Sequence, residues 1–209
     1  MKKYIISISA AVCLAFSSCS DFLDVKPKTE VPTDDLFKKE SGFEDALNGC
    51  YIKMNSKNLY GKFLTLSGVD FLARYYDNTT EGTYEYALSN FNWNNSYVKG
   101  QIKNTYNEFY NVILQANDVI MHIDTETGKN AVKSEKKRNL LKGEALAMRA
   151  FLHFDILRLF GQLPKNPTIQ VSLPYSEVTG IEDRPLYGFD EYVQKLLKDL
   201  SDAEELLSD

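Results

Sequence analysis

Apolar residues recur at three- and four-residue spacing over four stretches of the chain, the period of helices that face a core. In the first, Phe43, Ala46, Leu47, Cys50, Tyr51 and Met54 predict a helix from Gly42 to Ser56, with Ser41 as N-cap and Glu44 three residues on as a capping box. In the second, Ile102, Tyr106, Phe109, Tyr110, Ile113, Ala116, Asn117 and Ile120 share one wide face of a long helix from Tyr97 to Asp124. A loop is expected around Thr127-Gly128. Ser134 then caps a helix that carries Leu141, Ala145, Met148, Leu152, Ile156 and Leu159, runs to Phe160, and is ended by Gly161, Pro164 and Pro167. Ala145, Ala147 and Ala150 on it are small enough to let a neighbouring helix approach closely. The last pattern starts near Phe189 or Asp190 and marks Tyr192, Val193, Leu196, Leu197, Leu200, Ala203 and Leu207 as a buried face. No Gly or Pro closes that helix, and the chain is expected to be cut from a longer protein.

The segments between differ. Leu59 to Ala73 is apolar without a clean period and fits a short helix or an irregular packed segment. Arg74 to Tyr97 reads RYYDNTTEGTYEYALSNFNWNNSY, rich in Tyr, Asn and Thr, and predicts a long surface excursion with room for a small hairpin around Glu81 and Gly82. Lys165 to Gly188 holds Pro167, Pro174 and Pro185 and reads as a loop. No strand pattern of any length competes. The fold class is mostly α, built of antiparallel helix pairs with long irregular loops.

The N-terminus has its own pattern. Lys2 and Lys3 precede a 13-residue apolar run from Tyr4 to Phe16 that holds two serines. A membrane-spanning helix needs about 20 predominantly apolar residues. The layout is that of a secretory signal peptide over residues 1–18. Phe16-Ser17-Ser18-Cys19 resembles a bacterial lipobox, in which the cysteine is lipidated and becomes the first mature residue; Phe16 stands where most lipoboxes carry an aliphatic residue. Each buried CH₂ contributes roughly 0.8 kcal/mol, so several acyl chains anchor a domain firmly. The alternative is a plain signal peptide cut near Ala15 or Ser18. Residues 19–40, with Pro27 and Pro32, are then a lipidated N-terminus and tether, and 41–209 a helical domain.

Composition narrows the function. Net charge is −5, and loss of residues 1–18 would remove two more lysines. That balance argues against nucleic acid, which wants a basic face. With Cys13 in the signal segment and Cys19 lipidated, Cys50 has no partner for an internal disulfide and is expected to be a small buried apolar group. His122 and His153 are the only histidines, and no zinc signature, phosphate loop or G-x-S-x-G motif is present. No catalytic residue, metal or cofactor is expected. Glu144, Arg149 and Asp155 lie five and six residues apart on one helix, off a common face, and read as bridges to neighbouring helices or loop carbonyls. Asn117 reads as a satisfied polar group, and His153 as a core or groove residue.

The 26 aromatic residues, 13 Tyr, 12 Phe and 1 Trp, exceed what a core alone demands in one place. Between Tyr75 and Tyr97, flat rings alternate with Asp, Asn and Thr. Rings match the C–H faces of sugars and polar side chains match their hydroxyl edges. The candidate ligand-binding residues are Trp93 first, then Tyr75, Tyr76, Tyr84 and Asn94. The competing reading is a loop whose aromatics fold back onto the bundle.

Four stretches together resemble the N-terminal half of the SusD/RagB family of Bacteroidetes surface lipoproteins. They are the lipoprotein start running into CSDFLDVKP; YNVILQANDVI at 110–120; GEALAMRAFLHFDILRLFGQLP at 143–164, the most specific; and DRPLYGFDEYVQKLLKDLSDAEELL at 183–207. The resemblance implies a tetratricopeptide-like helical fold without enzymatic activity. It implies an outer-membrane, surface-exposed, lipid-anchored protein that captures oligosaccharide or polysaccharide and passes it to a SusC-like TonB-dependent β-barrel transporter. It also implies that much of the glycan site comes from a C-terminal half not present in this sequence. The alternative function is a helical-repeat surface adaptor for protein or peptide.

Overall fold

The computed structural model describes residues 32–76, 79–162, 164, 169–180 and 183–208. The expected signal segment 1–18, Cys19 and the tether as far as residue 31 lie outside them, as do Asp77, Asn78 and Pro167. The chain divides into two compact units, Met1–Asp35 and Leu36–Asp209. A single turn, α1 (Thr33–Leu36), ends at the boundary. The second unit holds α2 (Glu40–Met54), α3 (Gly68–Leu72), α4 (Tyr84–Ser89), α5 (Ser96–Ile123), α6 (Glu126–Ala131), α7 (Glu135–Phe160) and α8 (Phe189–Leu207). Two strands of two residues each, β1 (Leu173–Pro174) and β2 (Leu186–Tyr187), pair antiparallel with Leu173 opposite Tyr187.

The long helices begin where side chains cap them. Asn95 Oδ1 accepts from the Tyr97 and Val98 N–H groups at 2.9 and 3.2 Å and starts α5. Ser134 Oγ accepts from the Lys137 N–H and starts α7. Ser41 does not cap α2: the helix begins at Glu40 after Lys39, without a side-chain cap, and Ser41 lies in its first turn. The expected loop at Thr127-Gly128 is the short helix α6, because Thr125 Oγ1 accepts from the Gly128 N–H.

Cross-contacts fix the directions. Asp124 pairs with Lys142, Asn117 with Arg149, and Tyr106 with Phe160, so α5 and α7 run antiparallel. Arg149 meets Asp199, and His153 meets Tyr192, so α7 and α8 also run antiparallel. Near the end of that pair a Cβ on Gly143 would stand 2.8 Å from Leu207 Cγ, which is why a glycine lets the two helices close. These pairs, with α2 against α5, enclose a core that includes Phe43, Cys50, Phe109, Ile113, Ala116, Leu152 and Ile156. Phe37 belongs to that core: it stacks on His122 with ring centroids 4.4 Å apart. The packed unit therefore begins before residue 41. Cys50 is a buried free thiol, and burial pushes its pKa up to about 11, as expected of an inert core group.

The face of α8 differs from the expected one. Tyr192, Leu196, Asp199 and Ala203 are buried, while Leu197, Leu200 and Leu207 are exposed. Arg149 is the cause. Its guanidinium draws Asp199 inward through two charge-assisted hydrogen bonds of 2.6 Å, and the helix turns with it.

Among the described residues of the excursion there is no hairpin at Glu81-Gly82. The chain turns at Gly82, whose φ is +86°, and Thr83 then caps α4 by accepting from the Tyr86 N–H. Ala87 and Leu88 tie that helix to the core. Two non-glycine residues, Arg74 (φ +57°) and Phe91 (φ +52°), adopt the left-handed conformation at either end of this segment.

Candidate functional site

A groove of about 520 Å³ opens where the start of α5 passes the end of α7. Its walls are Trp93 from the turn after α4; Val98, Lys99, Ile102, Lys103 and Tyr106 from the first turns of α5; and Leu159 and Phe160 from the last turn of α7. The antiparallel return of α7 makes the groove, bringing together residues more than fifty positions apart.

Its rings are braced from behind. Tyr106 meets Phe160 edge to face at 5.1 Å and Tyr110 at 4.9 Å. Tyr110 donates to the Pro174 carbonyl at 2.7 Å, and burial, with a smaller contribution from Tyr106, pushes its pKa well above the usual tyrosine range. On the other wall Trp93 is 48% exposed and packs on Phe91 at 5.8 Å. Arg74 supports Phe91 with its guanidinium 5.2 Å from the ring centre, and its Nε donates to the Ser89 carbonyl. The left-handed turns at Arg74 and Phe91 place this stack.

Of the expected ligand residues, Trp93 lies on the groove. Tyr75, Tyr76, Tyr84 and Asn94 do not line it. Tyr75 is 78% exposed, and Tyr76 packs against Phe71 at 4.8 Å. Tyr84 turns inward onto the core, where burial first and Glu85 second push its phenol up to about 12. Asn94 is exposed, and its backbone N–H donates to Asn92 Oδ1. Tyr106, Phe160, Lys99 and Lys103 were not anticipated. The available signal is the spacing 99, 103 beside 98, 102, 106: two lysines one turn apart along the edge of an apolar helical stripe. A second groove, of about 430 Å³, lies between α2 and α7 and is lined in part by Tyr51, Leu140 and Phe151. It contains none of the expected residues.

The residues expected to be structural are so. Arg149 joins Asp199, Asn117 Oδ1 (2.9 Å) and the Glu177 carbonyl. Burial alone would lower the Arg149 pKa, but the hydrogen bonds and charge of Asp199 outweigh it and raise it. Asn117 Nδ2 donates to the Ser176 and Val178 carbonyls, so it holds the loop at 173–180 as well as α7 through Arg149. Asp155 accepts from Tyr60 Oη at 2.8 Å and pairs with Arg158; Glu144 accepts from Tyr51 Oη. His153 is fully buried. Ser176 N–H donates to its Nε2, so the proton sits on Nδ1 and is donated to Tyr192 Oη at 2.7 Å.

Among the described residues no three or more His, Cys, Asp or Glu side chains are placed to hold a metal, and no helix is long and apolar enough to cross a membrane. A family model described as SusD-like, "starch-binding associating with outer membrane", matches residues 21–209. The chain belongs to the SusD-like family. It is 26% identical over its whole length to SusD-like protein P2 of Formosa agariphila, and 27% identical over 76% of its length to SusD-like protein P25 of the same organism. It spans 39% and 31% of those two curated relatives. A crystal structure of a SusD superfamily protein from Bacteroides thetaiotaomicron matches 80% of the chain with a TM-score of 0.62 at 21% identity, over 37% of its own length. That likeness establishes the tetratricopeptide-like SusD fold for these helix pairs. The most specific stretch of the sequence, 143–164, includes the C-terminal part of α7, which carries Gly143, Glu144, Arg149, His153 and Asp155. Each of those residues has a packing or hydrogen-bonding task described above.

Proposed function

We propose that this chain contributes the glycan-capturing face of a cell-surface lipoprotein, with the groove at Trp93 as its ligand contact. Cys19 carries the acyl anchor, and captured oligosaccharide passes to a SusC-like TonB-dependent β-barrel transporter in the outer membrane. The protein binds and presents its ligand without turning it over. The observation that carries this reading is a half-exposed tryptophan facing Tyr106 and Phe160 across an open groove in a chain of the SusD-like family. Stacking of a sugar on such rings needs no charge and little reorganisation, since the rings are already held by Phe91, Arg74 and Tyr110. Tyr75, Tyr76 and Asn94, exposed nearby in the sequence, are candidates for outer contacts with a longer glycan.

The test uses the full-length protein and a panel of polysaccharides in affinity electrophoresis. Trp93→Ala is expected to weaken retention by roughly tenfold or more, the loss typical of an aromatic hot spot. Unchanged retention sinks the groove as the ligand site. Solubilised outer membranes should yield a stoichiometric β-barrel with the tagged protein, and Cys19→Ala should release the protein from the membrane fraction. Binding to a protein partner with no retention by any glycan would favour the adaptor reading.

A further inference from the structure

The groove that stacks sugar rings also carries two cations and no acid. Lys99 and Lys103 lie one helical turn apart on α5, along the same wall, and both are exposed. Among the described residues neither side chain makes an ion pair or a hydrogen bond. That sets them apart from Lys129, Lys137, Lys142, Lys195 and Lys198, each of which meets a carboxylate. None of the residues lining the groove is Asp or Glu. In a chain with 29 acidic against 24 basic residues, this is an uncommon local balance. The first turn of α5 adds the positive end of a 28-residue helix beside Lys99. Arg74 stands behind Phe91 on the far wall.

We propose that this groove selects acidic glycans, with Lys99 and Lys103 pairing with carboxylates or sulfate esters while Trp93, Tyr106 and Phe160 take the ring faces. The proposal rests on the groove being the glycan site. One helical turn, about 5.4 Å, is comparable to the length of one pyranose residue, so the two ammonium groups can meet acids on adjacent sugars. The acidic remainder of the surface repels an anionic polymer, so binding is focused where the cations stand.

The experiment measures affinity of the full-length protein for four probes by titration calorimetry: oligogalacturonides, their carboxyl-reduced counterparts, carrageenan oligosaccharides and their desulfated counterparts. At least one acidic probe is expected to bind about tenfold more tightly than its neutral counterpart, in the range two exposed ion pairs supply. That preference should fade as salt rises. Preference in the uronate pair assigns carboxylate, and preference in the sulfated pair assigns sulfate. The double variant Lys99→Gln/Lys103→Gln, with both side chains exposed, should erase the preference, so that the acidic probe binds no more tightly than its neutral counterpart. Equal or better binding of the neutral probes by the unaltered protein overturns the proposal and leaves the groove standing as a neutral-glycan site. A preference that survives the double variant also overturns it. If Trp93→Ala changes no affinity, the underlying assignment of the groove fails, and this proposal with it.

Discussion

The middle of α7 and its C-terminal end use the same kinds of residue for opposite purposes. Inside, His153 stacks on Tyr175 at 3.8 Å, Tyr192 stands edge-on to both, and Arg149 and Asp199 close the cluster. Outside, Phe160 and Tyr106 face Trp93, with Lys99 and Lys103 on the rim. Both regions combine aromatic rings with cations. In the inner one every cation has its carboxylate and the rings are buried; Tyr175 Oη itself donates to Asp199 at 2.6 Å. In the outer one the cations are unpaired and Trp93 is half in water. Residue type alone does not separate a structural lock from a binding surface. Pairing and burial do.

The largest effect should come from opening the inner lock. Arg149→Ala leaves Asp199 buried without its counter-charge, and loss of about 3–5 kcal/mol is expected, read as the shift in urea midpoint. Arg149→Met with Asp199→Leu removes both charges and should recover most of that loss. A double variant as unstable as the single would mean that the pair itself, not the orphaned charge, holds α7 to α8.

His153 should give the next effect, visible only in acid. Burial lowers its pKa from 6.5 to about 3, with the nearby Arg149 charge acting the same way against the Ser176 carbonyl beside Nε2, which favours the protonated ring. Between those values the unfolded chain binds a proton that the folded one refuses. Stability from this group is therefore complete above pH 6.5 and declines as pH falls toward 3, at a slope of about 1.4 kcal/mol per unit. His153→Gln keeps a hydrogen-bonding side chain that does not titrate. Its stability should fall less steeply between pH 6.5 and 4, and an unchanged slope would remove His153 as the cause.

How much of this was written in the chain follows from the range of the interactions. The bounds of α5 and α7 were legible to within a residue or so, because the 3.6-residue period and, for α7, the Ser134 cap are local signals. The roles of Arg149, Asn117 and Asp155 were legible as structural because charged and polar groups inside an apolar helical pattern need partners. Which partners was not, and the face of α8 was misjudged for that reason: Asp199 is polar in sequence and buried by Arg149. The inward turn of Tyr84 depended on α4, a six-residue helix set by one Thr83 cap. The groove was half legible. Trp93 stood out as the single tryptophan beside asparagines, but Tyr106 and Phe160 look like ordinary core residues until α7 returns antiparallel to α5.

A smaller effect is expected at Tyr60. Tyr60→Phe loses the hydrogen bond to Asp155, whose charge Arg158 still meets, and should destabilise by about 1–2 kcal/mol without touching groove affinity. The smallest effect on stability should be at Trp93, and it is the sharpest test of the contrast. The ring is half exposed and packs on Phe91, itself exposed, so Trp93→Ala should shift folding stability by no more than about 1 kcal/mol. Tyr175→Ala, which removes a buried ring of the inner lock, should cost about 3–5 kcal/mol. Thermal unfolding of both variants beside glycan titration separates the two regions. If Trp93→Ala melts the protein as Tyr175→Ala does, the groove wall is part of the lock and the indole is a core residue with an open edge. If it leaves the melt in place while affinity falls, the half-exposed ring is spent on ligand, as its unpaired surroundings imply.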